Sequence, residues 1–128
     1  MPFAQVHITE GHSADQKRVL IREITQAVHD SVGAPMPNIR VWLRELPKAD
    51  YGIGGEPVEA LDDANAPFAQ MFMMEGRSEE QKTAVIERVS QAFVTALGTS
   101  LEKTRVWITE VPKTNWGIGG KTAKNIGR

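Results

Sequence analysis

Few residue types in this chain are equipped for covalent or metal chemistry. It has no cysteine and three histidines, which excludes thiol nucleophiles, disulfides and sulfur-ligated metals and leaves too few imidazoles for a dedicated zinc site. No metal and no cofactor are expected. No GxGxxG or lysine-bearing P-loop occurs, so the two GIGG sequences at 52–55 and 117–120 read as turn formers rather than a phosphate cradle. What stands out is a set of residues that occurs twice at one spacing. Pro2 and Pro67 precede Phe-Ala-Gln, His12 and Arg77 precede a serine, Arg40 and Arg105 precede Val-Trp, and Tyr51 and Trp116 precede GIGG. Each admits two readings. A proline starts a strand, where its missing N–H costs little, or at a chain terminus it carries a basic secondary amine. An arginine at a strand head blunts the sheet edge, or its planar guanidinium binds a carboxylate bidentately. Arg77 can also be a solvated residue near a helix start, where a cation gains nothing from the dipole. His12 is a surface residue or a proton shuttle, and the aromatics pack an interface or wall off water from a site.

These pairs belong to a duplication. PFAQVHITEGHSADQK (2–17) aligns without gaps on PFAQMFMMEGRSEEQK (67–82), and RVWLRELPKADYGIGG (40–55) falls at the same offset on RVWITEVPKTNWGIGG (105–120). About two in five positions are identical over some 54 residues, more than shared helix or strand composition produces. The chain therefore divides into a first module (2–55), an acidic, unpatterned linker (56–66) able to reach roughly 35 Å when extended, a second module (67–120) and a C-terminal tail (121–128).

Within each module the pattern predicts strand, helix, strand. The short apolar runs 3–8 and 68–73 are strands by length. Ser13 with Gln16 and Ser78 with Gln81 form capping-box signatures that start a helix. Leu20, Ile24, Ala27, Val28 and Ser31 recur at helical spacing, as do Val85, Val89, Ala92, Phe93 and Ala96, and Gly33 and Gly98 end the helices. Residues 39–43 and 104–108 are rich in β-branched and aromatic side chains and form the second strand. A right-handed parallel βαβ unit follows. One such unit buries too little apolar surface to stand alone, so the two copies are expected to pair into a four-stranded α/β sheet with both helices on one face. The other face then needs a partner, and Trp42 and Trp107 are assigned to core or subunit packing.

Pro at the second position, the strand ending Glu10-Gly11, the Ser-capped helix, the Arg-Val pair and Gly52-Ile53-Gly54-Gly55, all but the first-codon context repeated in the second copy, resemble the 4-oxalocrotonate tautomerase family over about 85% of the chain. The resemblance implies tandem tautomerase-type modules, a homotrimer equivalent to the hexamer of single-module relatives, and an isomerase acting on an unsaturated keto acid. It implies that Pro2, freed by removal of Met1, is the catalytic base. A free α-amino group titrates near 8, and burial beside arginines lowers that value toward a neutral amine near pH 7. Pro67 cannot serve this way, because Ala66 acylates its nitrogen. The family's two catalytic arginines match Arg77, where the first copy has His12, and Arg40 or Arg105. Tyr51 and Trp116 match its aromatic wall.

Two rivals remain. The same scaffold resembles that of 3-haloacrylate dehalogenases, hydratases and decarboxylases, for which Glu10, Glu45, Glu75 and Glu110 are candidate water-activating carboxylates. The other is a non-catalytic assembly or binding module. A net charge of −1 from 15 basic and 16 acidic residues dispersed along the chain excludes the basic stripe that nucleic acid requires. No apolar run reaches the length of a membrane span and no signal peptide is evident, so a cytoplasmic protein without a membrane partner is expected.

Overall fold

The computed structural model describes residues 2–60 and 65–128. Each copy begins with a strand, β1 (Phe3–Thr9), and a helix, α1 (Ala14–Val32), followed by β2 (Arg40–Leu46) and a small hairpin, β3 (Gly52–Ile53) with β4 (Glu56–Pro57). The second copy repeats the order as β5 (Phe68–Met74), α2 (Glu79–Leu97), β6 (Arg105–Val111), β7 (Gly117–Ile118) and β8 (Lys121–Thr122). The helices start where the sequence predicts. Ser13 Oγ accepts the Gln16 N–H while Gln16 accepts the Ser13 N–H, and Ser78 with Gln81 does the same. Each box satisfies two otherwise orphaned donors. Gly33 and Gly98 close the helices at φ +70°, a left-handed conformation that favours glycine.

The main sheet runs β2-β1-β5-β6. Within each copy the strands are parallel, and the copies meet through antiparallel β1 and β5 with Gln5 opposite its own duplicate Gln70. That register makes the chain pseudo-twofold symmetric about Gln5 and Gln70. Alternation sends Ala4, Val6, Ile8, Ala69, Met71 and Met73 to one face, where Leu20, Ile24 and Val28 of α1 and Val85, Val89 and Phe93 of α2 cover them. Both helices lie on that face. The other carries Phe3, His7, Trp42, Phe68, Phe72 and Trp107, with edge-on ring contacts between Phe3 and Trp42 and between Phe68 and Trp107. Trp42 and Trp107 are 58% and 61% exposed. Neither is a core residue, because both stand at alternate positions that point away from the helices.

The turn region extends further than the duplication predicts. Glu56 and Pro57 form β4, Val58–Ala60 make a 3-10 turn, and Val58 is fully buried; in the second copy β8 follows and Ala123 is fully buried. Val58 N–H donates to Tyr51 O at 2.7 Å, and Ala123 N–H to Trp116 O at 2.8 Å. Residues 56–60 and 121–123 thus continue their modules. Residues 61–64 of the expected linker, and Met1, lie outside the described residues. No helix among the described residues is long and apolar enough to cross a membrane.

Candidate active site

Parallel pairing and the antiparallel junction together decide which residues meet. Pro2 heads β1, and Arg40 heads β2 after the Met36–Asn38 turn, with Phe3 opposite Arg40 and the Arg40 N–H donating to Pro2 O at 3.2 Å. Because β5 runs the other way, its C-terminal end, that of β6 and the turn after β6 arrive at the same edge. The result is a cleft of about 530 Å³ with one wall from each copy. Pro2, Phe3, Asn38 and Arg40 form the first wall, and Val111, Asn115, Trp116 and the Gly117–Gly119 turn the second, with Phe72 alongside. Pro2 is fully buried and Trp116 half-buried. Arg40 is the one charged residue lining the cleft among the described residues, and its guanidinium has no carboxylate within ion-pair distance there. An unpaired guanidinium beside an apolar wall suits an anionic, planar, unsaturated ligand.

Of the residues singled out in the sequence, Pro2, Arg40 and Trp116 come together. Tyr51, Arg105 and His12 lie at the opposite end of the sheet, since the antiparallel junction carries the turn of the first copy to Pro67. There the Tyr51 hydroxyl donates to Ala66 O at 2.8 Å, the carbonyl of the amide that acylates Pro67. The Arg105 guanidinium donates to the carbonyls of Glu102 and Thr104 at 2.8 and 2.9 Å. His12 is half-buried with its Nε2 buried and without a hydrogen-bond partner among the described residues. Burial lowers its pKa below the ordinary value of 6.5; Glu45 opposes this, and Lys48 and Lys17 add to it.

Arg77 follows β5 and so stands at Pro2's end, yet it does not line the cleft of its own chain. Its Nη1 donates to Val32 O at 3.2 Å, on the last residue of α1. The dipole of α2, the helix that Arg77 precedes, offers a cation nothing. Tertiary packing sets Arg77 instead at the C-terminal end of the neighbouring helix, where the dipole favours a cation. None of Glu10, Glu45, Glu75 and Glu110 lines the cleft; Glu45 pairs with Lys17 and Glu110 with Lys82. Among the described residues no cluster of three histidines and carboxylates could hold a metal. Asn38, Phe72, Asn115 and Ile118 line the cleft and were missed. The signal for both asparagines was present in the alignment, where Asn38 falls on Lys103 and Asn115 on Asp50.

A duplicated βαβ fold that brings a proline at position 2 and an arginine to one cleft is the arrangement to compare with known proteins. The family model described as tautomerase enzyme matches residues 2–61 and again 67–125. A 2-hydroxymuconate tautomerase of Pseudomonas putida is 63% identical over 62 residues, which is 48% of this chain and 98% of that protein. The crystal structure of a native fused 4-OT superposes with a TM-score of 0.94 at 37% identity, over 98% of this chain and 99% of that one. The asymmetric trimer of the wild-type fused 4-OT called F6 superposes at 0.89 with 36% identity, over 98% and 99%. The chain belongs to the tautomerase family and is an enzyme, an isomerase.

Proposed function

We propose that this protein moves a proton on an unsaturated 2-hydroxy or 2-keto acid such as 2-hydroxymuconate, with the Pro2 amine as base once Met1 is removed. The observation that carries the reading is the meeting of Pro2 with an Arg40 unpaired among the described residues and an apolar wall on one cleft. The neutral amine accepts a proton from the 2-hydroxyl of a dienol, or from the activated carbon of an unsaturated keto acid, leaving a dienolate, and the ammonium returns it to a carbon of the conjugated chain. Arg40 holds a carboxylate and stabilises the charge that develops on the dienolate oxygen. Burial and the nearby guanidinium both favour the neutral amine. Trp116 excludes water from the reacting atoms.

The active form is a homotrimer, supported by the aromatic sheet face without cover and by the trimeric fused 4-OT relatives. In it a neighbouring chain supplies Arg77 or Arg105 to the Pro2 site, and the Tyr51 and His12 ends meet another subunit. The two modules, running from residue 2 through the first hairpin and from residue 67 through the second, act as the two halves of this unit. Water addition ranks second as an activity, because none of the four candidate glutamates lines the cleft.

The test is ketonisation of 2-hydroxymuconate by protein whose intact mass shows loss of Met1. Pro2→Ala is expected to lose most of the turnover and Pro67→Ala to stay within a few-fold, since the Pro67 nitrogen is an amide. Equal losses would count against the scheme. Hydrolysis of 3-haloacrylates without ketonisation would replace it with the dehalogenase reading.

A further inference from the structure

The two hairpins that follow the GIGG turns share one backbone and carry opposite charge. Their packing is matched: Val58 and Ala123 are both fully buried, and their N–H groups donate to Tyr51 O and Trp116 O. At the same offset Glu56 falls on Lys121 and Glu59 on Lys124. From Lys48 to Glu59 one lysine stands against three carboxylates, those of Asp50, Glu56 and Glu59, whereas from Lys113 to Lys124 there are three lysines and no carboxylate. Sign reversals within the helices, Arg22 with Glu87 and Glu23 with Arg88, cancel locally, but both hairpin reversals run the same way. Glu56, Glu59, Lys121 and Lys124 are exposed, and none makes an ion pair with another described residue. Within one chain the hairpins cannot neutralise each other, because the antiparallel junction sets the first at the Pro67 end of the sheet and the second at the Pro2 end. The seven residues of β1 between those ends span roughly 23 Å, against a screening length of roughly 8 Å at physiological salt. Contact between like hairpins of two chains would set acid on acid or base on base, and contact between unlike hairpins pairs the charges.

We propose that the two hairpins form a charge-complementary contact between chains: the acidic hairpin of one chain, through Glu56 and Glu59, docks on the basic hairpin of a neighbouring copy, through Lys121 and Lys124. The partner is a second copy of this chain, met end to unlike end. This rests on the reading that the active form is a homotrimer, and adds which parts of the surface recognise each other. Because Gly117, Ile118 and Gly119 of the basic hairpin line the Pro2 cleft, the neighbour's acidic hairpin is held beside that cleft.

The experiment is a charge swap in the full chain, read by native mass spectrometry over a dilution series and by the urea midpoint, in about 0.05 M and about 0.5 M salt. Glu56→Lys with Glu59→Lys, and separately Lys121→Glu with Lys124→Glu, are each expected to raise the chain concentration at which the trimer dissociates about tenfold in low salt, since like charges then meet at the contact. All four substitutions together restore unlike charges and should return the trimer most of the way to wild type. Glu80→Lys with Glu87→Lys, at exposed positions on α2, changes the net charge as much as the first pair does and should cost the trimer far less. High salt should remove most of the difference between the swapped pairs and wild type. Losses that add in the fourfold variant, losses equalled by the Glu80 and Glu87 control, or no loss from either pair by either readout would overturn the proposal. A wild-type chain that is monomeric at every concentration would instead remove the trimer reading on which it rests.

Discussion

Removal of Met1 would separate two prolines that the duplication made equivalent, since Ala66 keeps the Pro67 nitrogen an amide. Pro67 keeps the backbone role, its carbonyl accepting the Arg105 N–H as that of Pro2 accepts the Arg40 N–H. Only Pro2 can become an amine. With Pro2 as the proposed base, turnover needs that amine neutral, so activity is expected to fall as pH drops through its pKa, and a guanidinium on the same cleft would lower that pKa by disfavouring a second positive charge. Arg40→Ala is therefore expected to reduce kcat/KM about a hundredfold and to move the acid limb of its pH profile upward, toward the value near 8 of an unperturbed amine. A limb that stays in place would mean that Arg40 does not act on the base. On the open sheet face, burial and then Arg44 lower the pKa of His7 below 6.5. The unfolded chain binds this proton more readily, so stability is fully present above about pH 6.5. It declines as pH falls through that value toward the folded pKa. His7→Phe, matching the equivalent Phe72, should flatten the pH dependence of the urea midpoint between about pH 7.5 and 5.5; His12, shifted the same way, leaves a residual slope.

Helix boundaries were legible because they depend on local chemistry. A serine, a glutamine three residues later and a glycine at the far end satisfy backbone groups within one turn, whatever the rest of the chain does. Ser13→Ala and Ser78→Ala are each expected to cost about 1 kcal/mol, read as shifts in chemical denaturation with unchanged m-values. A loss at one serine alone would mean that the two boxes are not equivalent in stability. The hairpins after GIGG were less legible. Their two-residue strands carry no periodicity, and what fixes them is burial of a single side chain, Val58 in one copy and Ala123 in the other. Carrying the alignment three residues past the glycines would have paired those two positions.

For the whole molecule, the apolar alternation on both faces of β1 and β5 implies a face without cover, and the fold exposes it as a sheet of aromatic rings crossed by His7 and Arg44. Trimer formation would bury it. Native mass spectrometry should find three chains in wild type, and Trp42→Glu with Trp107→Glu should yield monomers with little turnover if a neighbour completes the site. Monomers that keep full activity would show that one chain's cleft suffices.

Repetition, caps, strand alternation and the amide character of Pro67 were determined by the sequence itself, since each follows from neighbours along the chain or from covalent bonding. The partners of Pro2 were decided only by the tertiary structure. The antiparallel junction of β1 and β5 brings Trp116 and Asn115 of the second copy to Pro2 and Arg40, and sends Tyr51 to Ala66. It also turns Arg77 onto the end of α1. A parallel junction would bring other residues of the second copy to Pro2. Strand direction across that junction is set by how the two helix faces share one core, which no local pattern encodes.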